Sequence, residues 1–417
     1  MRNFFVYIFL TIALLAGAAN PMATNYTFSQ CHGSLSPYPD DINPAVYPDS
    51  LTPVFVNHVG RHGSRYPASA TSCAKLSRAL FIADSLGTIT PIGRKLQRLV
   101  NEVIQKSNGQ WGALDSIGEA EQRAIASRFF INFKPLFQSG KRIDAVSSYS
   151  PRSMMSMFTF VHQLSRMNNR LSYSTASGRD YSPLVRPFDL DTIFQQYIAS
   201  DLWAQPYNQY FTAACPTSAI IRALGERFPY ESEEQQRNLA ITEYYVVAGC
   251  RAMGIDPSTS QFFSNEEYNA LWSCFNLRQY LQRTATTVSV APADIAAELL
   301  RDIIATFDKA VEGTDEVARL RFGHAETLLP LLSLIRLQGC YYATNYFDTV
   351  GQHWRDFDIV PMAANLQMIL FRGPSGKFYL RVDLNEHPVS LIPNDNTLYL
   401  PWDVARRFLL DRIPLYL

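Results

Sequence analysis

Apolar side chains recur along this chain with two different periods, which predicts strands separated by helices. Short β-branched and aromatic runs, typical of strands, occur at 54–59, 145–149, 366–371 and 378–382. Apolar and charged residues alternate at 317–322, which predicts another strand. Helical spacing of apolar residues occurs at 76–86, 92–104, 114–130, 151–164 and 327–337. Strands alternating with helices favour an α/β fold, a doubly wound and mostly parallel sheet flanked by helices.

The stretch from 181 to 307 lacks strong strand patterns and is rich in aromatic residues. Helical spacing recurs there at 192–203, 218–228, 233–252 and 293–307. We therefore expect a mainly helical insertion or cap at 181–307, placed within an α/β core formed by 24–180 and 308–417. Its aromatic residues are expected to pack in the interior, although some could line a cleft.

The N-terminus has the order typical of a secretory signal peptide, which we assign to residues 1–23. Arg2 precedes an apolar run at 4–19 that ends in small residues. An uncleaved anchor is the alternative, but the run is short for a span of about 20 residues. The mature protein is thus expected to be periplasmic or secreted, without a stable membrane span, and monomeric.

Charge and cysteine content narrow the classes of partner. Lysine plus arginine and aspartate plus glutamate both number 37, so no overall field attracts nucleic acid or an anionic membrane. The six cysteines fit disulfides in an exported chain, with pairing left open. None has CxxC spacing, which gives zinc or redox chemistry no support. Anion binding must come from local clustering of cations.

The strongest such cluster is the sequence Arg-His-Gly-Ser-Arg-Tyr-Pro at 61–67, directly after the first predicted strand. A guanidinium group can donate two parallel hydrogen bonds to a phosphate, and it stays charged at any working pH. Arg61 and Arg65 would therefore hold an anion beside His62. This arrangement suggests phosphoryl transfer to a histidine. The alternative is a hydrogen-bonded structural histidine in a solvated basic loop.

Two other strand-to-helix junctions carry a cation or a titratable side chain that could join this anion site. Arg152 follows a predicted N-cap and Pro151, so it lies in a first helical turn, where backbone N–H groups favour anions. His324 and Glu326 lie between the strand at 317–322 and the next helix. The alternative interpretations are that Arg152 is an exposed arginine at a helix start and that His324 is a structural histidine. In a doubly wound sheet all three junctions can meet in one crevice at the carboxyl ends of the strands.

The loop at 61–67 resembles the Arg-His-Gly-x-Arg-x-Pro signature of the histidine phosphatase superfamily, in its acid phosphatase and phytase branch. The tripeptide at 324–326, His-Ala-Glu, is similar to the form found in multiple inositol polyphosphate phosphatases, where other branch members usually have His-Asp. Weaker similarities are Gly118-Glu119, the Ser-x-x-x-Arg element at 148–152 and Leu-Asn-Glu at 384–386. The resemblance runs in order from about 54 to 387 and is weakest in the helical insertion.

This resemblance implies a secreted phosphatase that hydrolyses phosphomonoesters of inositol polyphosphates such as phytate, through a phosphohistidine and without metal or cofactor. It implies His62 as the nucleophile and Glu326 as the proton donor, at acidic to neutral pH. The phosphate ligands that it implies are Arg61, Arg65, Arg152 and His324.

Other functions remain open at this stage. A broad acid or sugar phosphatase is the nearest alternative, and a phosphomutase is another. A non-catalytic phosphate- or glycan-binding protein would belong to a different class. Substrate breadth depends on cations lining the pocket, for which the candidates are Lys75, Arg78, Lys95 and Arg179.

Overall fold

The structure is a computed structural model that describes residues 24–137 and 141–415. The predicted signal peptide at 1–23 lies outside the described residues. Among the helices that are described, none combines the length and the apolar composition that a bilayer span requires.

One mixed sheet forms the centre of the fold. Its strands are β1 Thr52–Arg61, β2 Arg142–Ser147, β3 Ser172–Ser177, β4 Glu316–Gly323, β5 Asn365–Arg372, β6 Phe378–Leu384, β7 His387–Val389 and β8 Leu400–Pro401. Their order is β3-β2-β4-β1-β5-β6-β7, with β8 paired to β6. Strands β3, β2, β4 and β1 run parallel, whereas β5 to β8 pair antiparallel. The predicted α/β class is confirmed, and the antiparallel strands make the sheet mixed.

Helices flank the sheet and fill the region between β3 and β4. They are α1 Thr71–Ser85, α2 Pro91–Ser107, α3 Ser116–Asn132, α4 Lys134–Phe137, α5 Pro151–Met167, α6 Ser182–Val185, α7 Thr192–Ala199, α8 Asp201–Ala214, α9 Ser218–Leu224, α10 Glu233–Gly249, α11 Asn265–Arg283, α12 Ala291–Asp294, α13 Ala297–Glu312, α14 Ala325–Leu334, α15 Val350–His353, α16 Asp356–Ile359 and α17 Trp402–Leu410. Six short 3-10 turns lie at Gln30–Leu35, Arg179–Tyr181, Pro187–Asp189, Arg251–Met253, Thr259–Gln261 and Phe347–Thr349. The α2 start follows its sequence signal, because the Thr90 side chain accepts a hydrogen bond from the Gly93 N–H.

Each face of the sheet buries its own apolar cluster. Neighbouring residues of β1 point to opposite faces, so Phe55 packs with α13 and α14, whereas Val56 packs with α3 and α5. A third cluster joins α1 and α2 to α9, α10 and α11. This cluster contains residues from both sides of the boundary expected near 181, and the division into core and insertion stays a prediction.

The six cysteines correct an expectation drawn from the sequence. All six are buried free thiols, so the predicted disulfides are not formed. They pack within apolar clusters, where burial raises the pKa of Cys73 to about 11 and that of Cys340 to about 12. Neutral, enclosed thiols of this kind act as small apolar side chains.

Candidate active site

The Arg-His-Gly-Ser-Arg loop leaves the sheet at the end of β1, beside the end of β4. Arg61 pairs with Gly323 in the parallel register, and the His62 N–H donates to the Gly323 carbonyl at 3.1 Å. The His62 carbonyl accepts from the Ala363 N–H at 3.0 Å. These backbone bonds fix the histidine at the carboxyl edge of two strands. The two junctions therefore converge as expected for an α/β sheet.

His62 is buried, and its hydrogen bonding fixes its tautomer. Its Nδ1 lies 2.9 Å from the Gly63 carbonyl oxygen, which only accepts, so Nδ1 carries the hydrogen and Nε2 keeps a lone pair. Burial lowers the pKa of His62 well below its usual value, and Arg61, Arg152 and Arg65 lower it further. The imidazole is thus neutral, with a nucleophilic nitrogen beside the cavity that it lines.

Three arginines surround this imidazole along one cavity of about 400 Å³. Arg61 is held through Nη1 by the carbonyls of Ser34 and Val360, and Arg65 Nη1 donates to the Tyr66 carbonyl at 2.8 Å. Arg152 comes from the first turn of α5, as predicted.

The buried Nε atoms of these three arginines have no hydrogen-bond partner within the described part of the chain. Burial lowers the pKa of Arg61 to about 10, and burial with the neighbouring Arg152 and Arg61 lowers that of Arg65 to about 9. All three remain charged at neutral pH. Such buried donors are suited to a dianion such as phosphate.

His324 lies behind the cavity wall, with its ring centroid 5.5 Å from that of His62. Its Nε2 accepts from Arg186 Nη1 at 2.9 Å and from Ser148 Oγ at 3.0 Å, which leaves the hydrogen on Nδ1. Burial, Arg152 and Arg186 outweigh Glu326 and lower the pKa of His324 to about 3. Arg152 Nη2 stands 3.4 Å from Nδ1, and an anion between these two donors would accept from both.

Glu326 lines the same cavity and is bound to a residue that the sequence did not indicate. Arg283, the last residue of α11, lies with Nη2 3.0 Å from Glu326 Oε1. Burial raises the pKa of Glu326, but Arg283, His324 and its own backbone N–H outweigh burial and lower it to about 2. The carboxyl group is therefore ionised in this arrangement.

Helix α3 supports the loop from below. The buried Glu121 carboxylate accepts from the Ser64 N–H at 2.7 Å, the Ser64 hydroxyl at 2.6 Å and the Tyr38 N–H at 2.8 Å. A Cβ on Gly118 would lie 2.2 Å from the Ser64 carbonyl oxygen, so only glycine allows this approach. The similarity noted at Gly118-Glu119 thus marks a close packing contact, and Glu119 itself pairs with Arg123 at the surface.

Other residues that the sequence singled out lie outside the cavity. Asn385 and Glu386 form the turn after β6 with positive φ, and Glu386 binds Arg128 and the Tyr38 hydroxyl. None of the four proposed pocket cations lines the cavity: Lys75, Arg78, Lys95 and Arg179. The additional cations there come from α11, namely Arg278 and Arg283. No periodicity in the sequence singles out these two positions, because their exposure depends on how α11 packs.

Comparison with known proteins finds phosphatases that are similar to this chain. No family model matches it. It is 24% identical over 397 residues to multiple inositol polyphosphate phosphatase 1 of Homo sapiens, covering 88% of this chain and 81% of the human protein. It is 22% identical to the Gallus gallus protein of the same name, over 92% of this chain and 88% of the other.

Solved structures show the same fold. The multiple inositol polyphosphate phosphatase of Bifidobacterium longum, in complex with inositol hexasulfate, superposes with a TM-score of 0.76 at 17% identity, covering 93% of this chain and 99% of that one. The phytase of D. castellii superposes with a TM-score of 0.67 at 16% identity, over 94% and 86% of the two chains. The resemblance drawn from the motifs at 61–67 and 324–326 is confirmed.

Proposed function

We propose that this chain, which has the fold of the histidine phosphatases, hydrolyses phosphomonoesters of inositol polyphosphates such as phytate through a phosphohistidine. The observation that carries the proposal is the neutral His62, whose Nε2 lone pair adjoins a cavity lined by three arginines with buried Nε atoms. The human relative is named an inositol polyphosphate phosphatase, and the Bifidobacterium longum enzyme binds an inositol hexasulfate.

The chemistry follows from the geometry. The phosphate oxygens are held by Arg61, Arg65 and Arg152 while His62 Nε2 attacks phosphorus in line with the ester oxygen. The N–P bond forms as the P–O bond breaks, and the departing oxygen takes a proton from Glu326. Water then attacks the phosphohistidine, with the Glu326 carboxylate accepting its proton, and phosphate leaves. His324 stabilises the transferring group through its Nδ1 hydrogen.

The direct test measures phosphate released from phytate and from p-nitrophenyl phosphate across pH, without added metal. His62→Ala should lower kcat by at least about a thousandfold. The exposed His162 on α5 provides the control, and His162→Ala should retain full activity. Turnover by His62→Ala near the wild-type rate would refute the nucleophile assignment. Release from p-nitrophenyl phosphate but not from phytate would favour a broad acid phosphatase instead.

Glu326 is tested by the dependence on the leaving group. Inositol is a poor leaving group that needs a proton, whereas p-nitrophenolate leaves without one. Glu326→Gln should therefore reduce kcat for phytate by about a hundredfold and for p-nitrophenyl phosphate by less than about tenfold. Equal losses for both substrates would argue against a proton donor.

We also infer that the mature protein is exported and monomeric. The apolar run at 4–19 supports export, and the balanced charge gives no sign of a nucleic-acid partner. N-terminal sequencing of the protein recovered outside the cytoplasm should begin near residue 24, and light scattering should give the mass of one chain. An intact N-terminus in the membrane fraction would show an anchor.

A further inference from the structure

The proton donor of the proposed reaction is held by a cation that opposes its role. Arg283 is the first of the neighbouring groups that lower the pKa of Glu326, which stands at about 2. An acid with such a pKa holds almost no proton at pH 5 to 7. For Glu326 to donate, Arg283 has to leave it.

The ion pair between these two residues can exchange partners. Both side chains are partly exposed, with 21% of Arg283 and 33% of Glu326 accessible. Water can reach a partly exposed pair and solvate each charge as the two separate, so its partners can be exchanged. Gln279 also holds Arg283 in place, because its Oε1 accepts a hydrogen bond from Arg283 Nε at 2.6 Å. The guanidinium group therefore stays at the cavity when it separates from Glu326.

The charges of the cavity wall indicate where Arg283 would go. Five arginines line the cavity, and among the lining residues described Glu326 is the only acidic one. Three of these arginines stand around His62 and serve the phosphate that reacts. The other two, Arg278 and Arg283, project from α11 on another wall. A second phosphate of the same substrate could contact both, and a phosphate dianion offers a guanidinium group more negative charge than a carboxylate does.

We propose that Arg283 is an exchangeable partner of Glu326, which transfers to a second phosphate of the substrate and thereby lets Glu326 take up the proton that it donates. The inference rests on the proposed function. Glu326 gains one proton from solvent as Arg283 leaves. That proton passes to the ester oxygen when the P–O bond breaks and the bond from His62 Nε2 to phosphorus forms. Arg283 is therefore a positioning residue that couples proton donation to polyphosphate recognition.

The coupling predicts that kcat differs between substrates with one phosphate and substrates with several. A substrate with one phosphate, such as glycerol 2-phosphate, leaves Arg283 on Glu326 and is cleaved slowly. In Arg283→Gln the pKa of Glu326 rises, and activity that needs the protonated acid persists to higher pH. We expect kcat for glycerol 2-phosphate to rise about tenfold at pH 5, and its basic limb to move up by at least about one pH unit. For phytate, KM should rise about tenfold while kcat changes little.

Two variants serve as matched controls. Arg278→Gln removes a cation from the same helix and cavity, and among the described residues Glu326 forms its salt bridge with Arg283 and not with Arg278. It should raise KM for phytate and leave the basic limb for glycerol 2-phosphate at its wild-type pH. Arg283→Lys keeps the positive charge, so its basic limb should stay within about half a pH unit of wild type. Circular dichroism checks that each variant is folded.

The outcomes separate this inference from the proposed function. The exchange is overturned if the basic limb of Arg283→Gln lies at the wild-type pH, or if this variant loses kcat equally on both substrates. The proposed function still holds in either case if the wild-type protein cleaves phytate. A shift of the same size in Arg278→Gln also overturns the exchange, since the effect would then be one of general charge. If wild type cleaves neither substrate, the proposed function and this inference both fail.

Discussion

Removing the Glu121 side chain should destabilise the protein more than any surface substitution on the same helix. Glu121→Ala leaves two backbone N–H groups, of Ser64 and Tyr38, buried without an acceptor. Each such donor costs about 1–3 kcal/mol. Burial raises the pKa of Glu121, so removing the carboxylate returns part of its desolvation cost. The net loss in the free energy of unfolding should be about 2–4 kcal/mol.

Urea unfolding at pH 7, followed by circular dichroism, measures this loss. Glu119→Ala is the matched control, because Glu119 lies on the same helix with its side chain 39% exposed and its carboxylate paired to Arg123. That exposed pair should contribute less than about 1 kcal/mol. Glu121→Gln keeps one acceptor oxygen and should fall between the two variants. If Glu121→Ala and Glu119→Ala differ by less than about 1 kcal/mol, the three bonds do not support the loop as argued.

Three further outcomes follow from buried groups. Gly118→Ala places a methyl group 2.2 Å from the Ser64 carbonyl oxygen, so it should lower the free energy of unfolding in urea by about 2 kcal/mol or more. The control is Gly249→Ala, whose new methyl group would meet no neighbouring atom within 4 Å. It should raise the free energy of unfolding by about 0.5–1 kcal/mol. Glu243 is buried with no partner for either oxygen among the described residues, and burial raises its pKa to about 8. Its folded pKa exceeds its unfolded pKa, so stability is lost as pH rises from about 4.5 to 8, and Glu243→Gln should be about 2–4 kcal/mol more stable than wild type at pH 9. A wild-type profile as flat as that of the variant would contradict this sign. Because the pKa of His62 is lowered well below 6.5, the acidic limb of kcat/KM for phytate should lie well below pH 6.5, and a limb near 6.5 would show an imidazole that titrates normally.

The residues that could be predicted from sequence are those whose signals are local. The loop at 61–67 follows a β-branched strand, and Arg152 follows a Ser-Pro helix start, so each could be placed at a strand end without knowledge of tertiary contacts. The strand Ser172–Ser177 could not, because it lies at the sheet edge, is largely exposed and has few apolar residues. Edge strands of this kind lack the alternation on which such predictions depend.

The parts of the site that were missed depend on contacts between distant segments. Glu121 lies in a helix where a glutamate normally faces water, and its burial follows from the approach of Ser64 and Tyr38. Arg283 ends a helix with apolar residues on most sides, so no stripe distinguishes the face toward the cavity. Disulfides were expected from the predicted compartment alone, which does not determine whether a pair of thiols is oxidised in the structure, and all six cysteines are free thiols.

The position of β1 between β4 and β5 has a consequence for synthesis of the chain on the ribosome. Within the described residues β1 pairs with only these two strands, and both follow it by a long interval. The strand and the loop at 61–67 that follows it are thus made early, yet no sheet partner exists until the chain extends to Glu316. A nascent chain carries this apolar strand with unpaired edges for most of translation, which favours aggregation and requires protection. Phosphatase activity should therefore appear only after both partner strands, up to Arg372, have left the ribosome.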